Sequence, residues 1–164
     1  MRSVKAFAPA TVANVSCGFD ILGFAIDAMG DTVELVLKDE PGLVVVSIDG
    51  DGGKLPLEAE KNTCAVAIQA MLDELDSKVG MNIYLTKGLP LGSGMGSSAA
   101  SAVAALAAAN RLLGDPFEKK DLLPFAIAAK NCRFKICTER SDSDEACDYS
   151  VWKCCWVDCR LVRK

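Results

Sequence analysis

Three stretches of the chain have the hydrophobic patterns of β-strands. Apolar and polar residues alternate over residues 31–38 (DTVELVLK) and 81–87 (MNIYLTK), as in strands with one buried face. Residues 42–49 (GLVVVSID) form a β-branched run instead. The pattern therefore predicts three strands.

Helical spacing predicts three helices. Over residues 62–75 the apolar side chains recur every three or four positions, and Asn62 is placed to cap the first turn. A second, alanine-rich helix is predicted over 97–113, ending at Gly114 and Pro116, and a third over 118–130. Strands followed by a mixture of strands and helices indicate the α+β class.

The character of the sequence changes after residue 130. Six of the eight cysteines and both tryptophans fall in residues 131–164, which contain no glycine or proline and show no period of 2 or 3.6. We therefore divide the chain into a domain over 1–130 and an unassigned cysteine-rich tail over 131–164. A zinc module is one interpretation of the tail, but no CxxC pair supports it, and a disulfide cluster does not suit a reducing compartment.

Composition narrows the possible functions. Hydrophobic residues make up 51% and charged residues 24%, which is typical of a folded globular chain. The net charge of -4 disfavours nucleic-acid binding, and the absence of histidine excludes Ser-His-Asp and Cys-His catalysis. The apolar run at 99–109 is shorter than the roughly 20 residues of a membrane span. Without a recognisable secretory signal, the expected location is the cytoplasm.

The glycine-rich run at 88–100 (GLPLGSGMGSSAA) lies between a predicted strand and the alanine-rich helix. Glycines 92, 94 and 96 permit positive backbone torsions, so that successive amide groups can converge on an anion such as phosphate. The helix start adds the amides of its first turn and the positive end of its dipole. The hydroxyls of Ser97 and Ser98 could cap the helix, contact phosphate or help to hold magnesium.

Two common phosphate loops do not fit this run. A P-loop requires lysine where Gly96 stands, and the Rossmann fingerprint requires a third glycine where Ser97 stands. An unliganded turn that opens a buried helix is the alternative interpretation.

The run at 90–100 (PLGSGMGSSAA) resembles the phosphate-binding signature of the GHMP kinases, a superfamily of small-molecule kinases. The resemblance implies the amino-terminal domain of that family, similar to ribosomal protein S5 domain 2, which a ferredoxin-like second domain normally follows. It implies ATP and Mg²⁺ as cofactors, with Ser98 near the metal ion. The implied ATP-binding residues are Pro90, Leu91, Gly92, Ser93, Gly94, Met95, Gly96, Ser97, Ser98, Ala99 and Ala100.

The segment at 8–27 (APATVANVSCGFDILGFAID) resembles the homoserine kinase version of the first family motif, with Thr11 in place of a basic residue. The resemblance implies phosphorylation of L-homoserine by ATP on the route to threonine, with Asn14 and Asp20 facing the substrate. A carboxylate such as Asp20 suits the ammonium group of an amino acid. Both residues could equally be turn residues. The catalytic residue stays unassigned, and a homodimer stays open.

The sequence departs from the family pattern after residue 130. A magnesium-binding Glu is expected near Lys130, followed by a His-Ala-Asp-Asn element and a second domain, and the sequence contains none of these. A shifted reading frame or an altered splice-like junction near codon 131 would produce such a change. We therefore expect little or no kinase activity from this polypeptide by itself. Another GHMP kinase, such as a mevalonate-type kinase, and a non-catalytic nucleotide-binding fragment are the alternatives.

Overall fold

A computed structural model describes residues 2–15, 18–129 and 159–162 of the chain. Its sheet has five strands in the order β3-β4-β2-β1-β5. The strands are β1 (Ser3–Val15), β2 (Gly18–Lys38), β3 (Leu43–Asp49), β4 (Gly80–Thr86) and β5 (Arg160–Val162). The helices are α1 (Thr63–Glu74), α2 (Ser97–Leu112) and α3 (Leu123–Ala128). The predicted α+β class is confirmed.

The sheet is antiparallel except for β3 and β4, which run parallel with α1 between them in sequence. Alternate residues of β1 to β4 enter the core, as the pleat of a strand requires. The inward residues are Ala6, Ala8 and Ala10 of β1, Val33 and Leu35 of β2, Val45 of β3, and Met81, Ile83 and Leu85 of β4. The core therefore lies between this face of the sheet and the helices.

Helix α2 is the centre of that core. Twelve of its residues are buried, and it contacts β1, β2, α1 and α3. Alanine is the main residue of α2 because a small side chain lets a helix approach neighbours on several sides at close distance. The hydrophobic run at 99–109 is thus the core of a domain. No helix in the described part of the chain has the length and apolar character of a membrane span.

The predictions for the first two helices are confirmed to within one residue at each end. Asn62 caps α1 as expected, since its side-chain oxygen accepts a hydrogen bond of 3.0 Å from the Cys64 amide. The prediction of one helix over 118–130 is wrong. A 3-10 turn at Lys119–Leu122 is followed by the short helix α3, with Pro124 in its first turn. Proline lacks an amide hydrogen and is tolerated only there, so it separates the two elements.

The prediction of three strands is incomplete. β1 and nearly the whole length of β2 form a long hairpin in which Ser3 pairs with Val36 and Val15 with Gly18. Its register shifts between Pro9, which faces Gly30, and Ala10, which faces Ile26. Alanines and a proline give β1 a weak strand propensity, so that pairing with β2 decides its conformation.

Part of the predicted tail joins the sheet. Strand β5 pairs antiparallel with Lys5–Phe7 of β1, although the sequence pattern indicated no element in 131–164. The Arg160 guanidinium lies 5.0 Å from the centre of the Phe7 ring and 2.9 Å from the Asp27 carboxylate. Apart from Cys159, the tail cysteines on which the zinc and disulfide interpretations depend lie outside the described residues.

Candidate nucleotide-binding site

The glycine-rich turn connects the end of β4 to the start of α2. Gly92, Gly94 and Gly96 adopt φ values of 74°, 73° and 71°, in the left-handed region that favours glycine. A Cβ atom at Gly92 or Gly94 would meet no heavy atom within 4 Å. Space for a side chain is therefore available at both positions. It is the positive φ, and not crowding, that requires glycine there.

The amino terminus of α2 presents amide groups at the end of this turn. Gly96 is the N-cap residue, and no side chain caps the helix within the described residues. A helix leaves its first amides without intrahelical acceptors, and its dipole adds partial positive charge there. Ser98 is exposed at this end, and the first turn of α2 contains no acidic residue. The arrangement suits an anion.

A buried ion pair between Asp31 and Lys87 lies beneath the turn. The Lys87 ammonium contacts Oδ2 of Asp31, and the two side chains are 2% and 0% exposed. Lys87 also donates to the Ser101 hydroxyl at 2.7 Å and to the Ser97 carbonyl at 3.3 Å. Both groups belong to the first turns of α2, so the pair connects the sheet to the helix.

Asp31 accepts hydrogen bonds at both carboxylate oxygens. Oδ1 receives the amides of Gly88 (3.1 Å) and Leu89 (3.3 Å), where the chain leaves β4. Oδ2 lies 2.7 Å from the Ser101 hydroxyl and 3.2 Å from the Ser97 hydroxyl. The Ser97 hydroxyl thus points toward the interior, whereas Ser98 is exposed. The sequence had left the roles of these two serines open.

Sequence reasoning missed Asp31, Lys87 and Ser101 as site residues, although a signal was present for the first two. Counting in steps of two from the inward residues Val33 and Leu85 places Asp31 and Lys87 on the core side of their strands. Thr32 pairs with Thr86, so the two charges are neighbours just beyond that pair. Opposite charges at two inward positions indicate a buried ion pair.

The residues predicted for ATP binding lie together along the turn and the start of α2. Ala99 and Ala100 are buried. The Met95 carbonyl accepts a hydrogen bond of 3.0 Å from the Thr11 amide. The turn is thereby joined to β1. Asn14 and Asp20 lie in β1 and β2 near the tip of that hairpin, but the structure does not describe their side chains.

Comparison with known proteins identifies the domain. Residues 62–138 match the family model "GHMP kinases N terminal domain". The homoserine kinase of Chlorobium phaeobacteroides is 50% identical over 137 residues, an alignment that includes 77% of this chain and 43% of that protein. Over these residues the chain is similar to a GHMP kinase amino-terminal domain. The chain spans less than half the length of the relatives it matches.

Solved structures show the same similarity. The crystal structure of homoserine kinase from Cytophaga hutchinsonii is 57% identical, with a TM-score of 0.77 over 79% of this chain and 41% of that one. The mevalonate kinase of Methanococcus jannaschii has a TM-score of 0.57 at 17% identity over 80% of this chain and 47% of that one, a likeness of fold alone.

Cys64 of α1 contacts the helix that begins at the candidate site. Its Sγ donates a hydrogen bond of 3.4 Å to the Ser101 carbonyl, so that it joins α1 to α2. Burial raises the pKa of the Cys64 thiol from 9.0 to about 12. A thiol with such a high pKa is unreactive near neutral pH, which indicates a structural role.

We predict that Lys87→Met lowers the free energy of unfolding by about 3–5 kcal/mol, because it leaves the Asp31 carboxylate buried without its cation. Urea denaturation measures this change. Arg111→Met is the control, since Arg111 and Asp115 form an exposed pair whose loss costs under about 1 kcal/mol. Equal losses for the two variants would contradict a special role for the buried pair.

The raised pKa of the Cys64 thiol leads us to predict that the stability of the fold depends on pH. Between pH 9 and 12 the unfolded chain loses this proton while the folded chain keeps it. The free energy of unfolding therefore falls as pH rises through this window, by at most about 1.4 kcal/mol per pH unit from this group, and its contribution is complete below pH 9. Urea denaturation under reducing conditions at pH 8 and pH 10.5 should show a smaller decline for Cys64→Ala than for the wild type. Identical declines would show that Cys64 ionises equally in both states.

Proposed function

We propose that the chain is the nucleotide-binding part of a homoserine kinase, which transfers the γ-phosphoryl group of ATP to the side-chain hydroxyl of L-homoserine. The observation that carries the proposal is 50% identity to a homoserine kinase, combined with a strand, glycine turn and helix start suited to an anion. The products are ADP and O-phospho-L-homoserine. We further propose that this occurs in the cytoplasm, in threonine biosynthesis.

The residues of the turn suit the phosphates of ATP. In phosphoryl transfer, positioning and electrostatic stabilisation supply most of the catalysis. Amides from Gly92 to Ser98 and the positive end of α2 would provide this around the phosphates. The residues at the signature, Pro90–Ala100, therefore form the proposed ATP site.

Magnesium would enter with the nucleotide. The described residues hold no group of three or more Cys, Asp or Glu side chains suited to a metal ion. Mg²⁺ is commonly held by phosphate oxygens, water and one or two protein oxygens, and the exposed Ser98 hydroxyl is a suitable protein oxygen. The ion would offset charge on the phosphates.

The β1–β2 hairpin is the proposed acceptor site. The Thr11–Met95 hydrogen bond ties this hairpin to the turn, so Asn14 and Asp20 belong to the strand pair beside the proposed phosphate site. The Asp20 carboxylate would bind the substrate ammonium. The homoserine hydroxyl oxygen would bond to the γ-phosphorus, the bond to the bridging oxygen of ADP would break, and the hydroxyl proton would leave to solvent. No described side chain is assigned as the base.

The alignment includes 43% of the relative's length. We therefore propose that this sequence binds a nucleotide by itself. The expectation of little or no turnover by this polypeptide follows. A homodimer remains a further proposal.

Nucleotide binding can be tested at the glycine turn. Gly94→Ala should weaken binding of a fluorescent ATP analogue by roughly tenfold, because alanine disfavours the left-handed torsion and shifts the amides around it. Gly52→Ala is a matched control, with φ of 65° and equally open surroundings in another turn. It should leave affinity unchanged, as measured by fluorescence titration. Equal affinity for both variants would count against a phosphate site here.

Acceptor use can be tested with ADP release in a coupled assay. L-homoserine, mevalonate and a sugar are compared as acceptors, first with this chain and then with an active homoserine kinase carrying its 1–129 segment. The hybrid should release ADP only with homoserine, whereas the chain alone should bind ATP with little turnover. Phosphorylation of mevalonate or a sugar instead would overturn the proposed acceptor, and turnover by the chain near that of a complete enzyme would overturn the need for further segments.

A further inference from the structure

We propose that Asp31 and Lys87 are positioning residues, which fix the two ends of the glycine turn relative to each other so that its amides converge on one anion. This inference rests on the proposed nucleotide site. The evidence is the set of groups that the pair contacts. Asp31 accepts the amides of Gly88 and Leu89 where the turn begins, while both charged side chains contact Ser101 and Ser97 where α2 begins.

The turn itself has few internal hydrogen bonds. Within residues 90–95, the described contacts are Ser93 amide to Pro90 carbonyl and Met95 amide to Ser93 hydroxyl, each at 3.4 Å. Both distances exceed the usual 2.7–3.2 Å range. The hydrogen bonds that Asp31 and Lys87 make with the two ends of the turn are all shorter, at 2.7–3.3 Å, and both side chains are buried. The shape of the turn is thus set mainly by contacts at its ends and by the Thr11–Met95 hydrogen bond.

The backbone is built to allow this arrangement. A Cβ atom at Gly88 would lie 2.1 Å from the Gly30 carbonyl oxygen, so a side chain there would push β4 away from β2. This close approach brings the amides after Lys87 within reach of Asp31, the residue after Gly30. Gly30 and Gly88, neither of which has a positive φ, therefore permit the hydrogen bonds between Asp31 and the start of the turn.

Stability alone does not account for the buried charges. Replacing a buried ion pair with apolar residues of similar volume is often neutral or stabilising. Apolar residues could not bind two backbone amides, two hydroxyls and a carbonyl at once. Because both side chains are almost fully buried, they would act on a nucleotide through the turn and not by contact.

The test uses Asp31→Asn and the milder Ser101→Ala in the full chain, with Ile68→Val in α1 as a control in the buried core. Affinity for a fluorescent ATP analogue is measured well below the unfolding temperature of each variant. Spectra of ¹⁵N-glycine-labelled protein without nucleotide report the turn directly. We expect roughly ten- to hundredfold weaker binding for Asp31→Asn, since small misplacements of binding groups cost factors of this size.

In the spectra we expect shifted or broadened signals from Gly92, Gly94 and Gly96 in both variants, with those of Gly42 and Gly52 unchanged. The Ile68→Val control should leave turn signals and affinity at wild-type values. Unchanged turn signals in folded Asp31→Asn and Ser101→Ala would overturn the inference. If the wild type binds no ATP analogue, the proposed function fails, and the spectra still decide whether the pair positions the turn. If Asp31→Asn does not fold, Ser101→Ala decides.

Discussion

The buried pair of Asp31 and Lys87 is the interaction on which the candidate site depends. It lies where three elements meet: the middle of β2, the end of β4 and the first turns of α2. Burying two charges is costly unless each finds its partners, and here each does. The partners are backbone and hydroxyl groups at the two ends of the glycine turn. The pair therefore makes all its hydrogen bonds only when β2, the end of β4 and the start of α2 are correctly placed relative to one another.

The packing of α2 makes this register possible. Its alanines let the helix lie close to β1, β2 and α1, with most of its surface buried. Cys64 of α1 bonds to the carbonyl of Ser101, the residue whose hydroxyl joins the ion pair. The helix start is thus held on one side by polar contacts and on the other by close packing. A rigid helix end is what an anion site of backbone amides needs, because those amides cannot adjust independently.

Local patterns predicted some elements well and others poorly, for identifiable reasons. α1 and α2 have strong helical periodicity and clear boundaries, Asn62 before one and Gly114 after the other, so their extents were predictable. β1 contains four alanines and an internal proline among its 13 residues, and it is a strand because β2 pairs along it. β5 likewise depends on the edge of β1. Pairing between distant segments determines the conformation of β1 and β5, and a local sequence pattern does not report such pairing.

The same distinction applies to the site. The glycine turn was predictable because phosphate binding by backbone amides demands glycines and a following helix within one short segment. Asp31 and Lys87 lie 56 positions apart and become neighbours only through strand pairing. Their signal was a charged residue at an inward position on each of two strands. Each is a rare violation of the hydrophobic pattern when taken alone, and together they neutralise one another. In a strand that borders a glycine-rich turn, such a violation indicates where the fold holds the turn in place, since the cost of burying a charge is tolerated where polar contacts define a geometry.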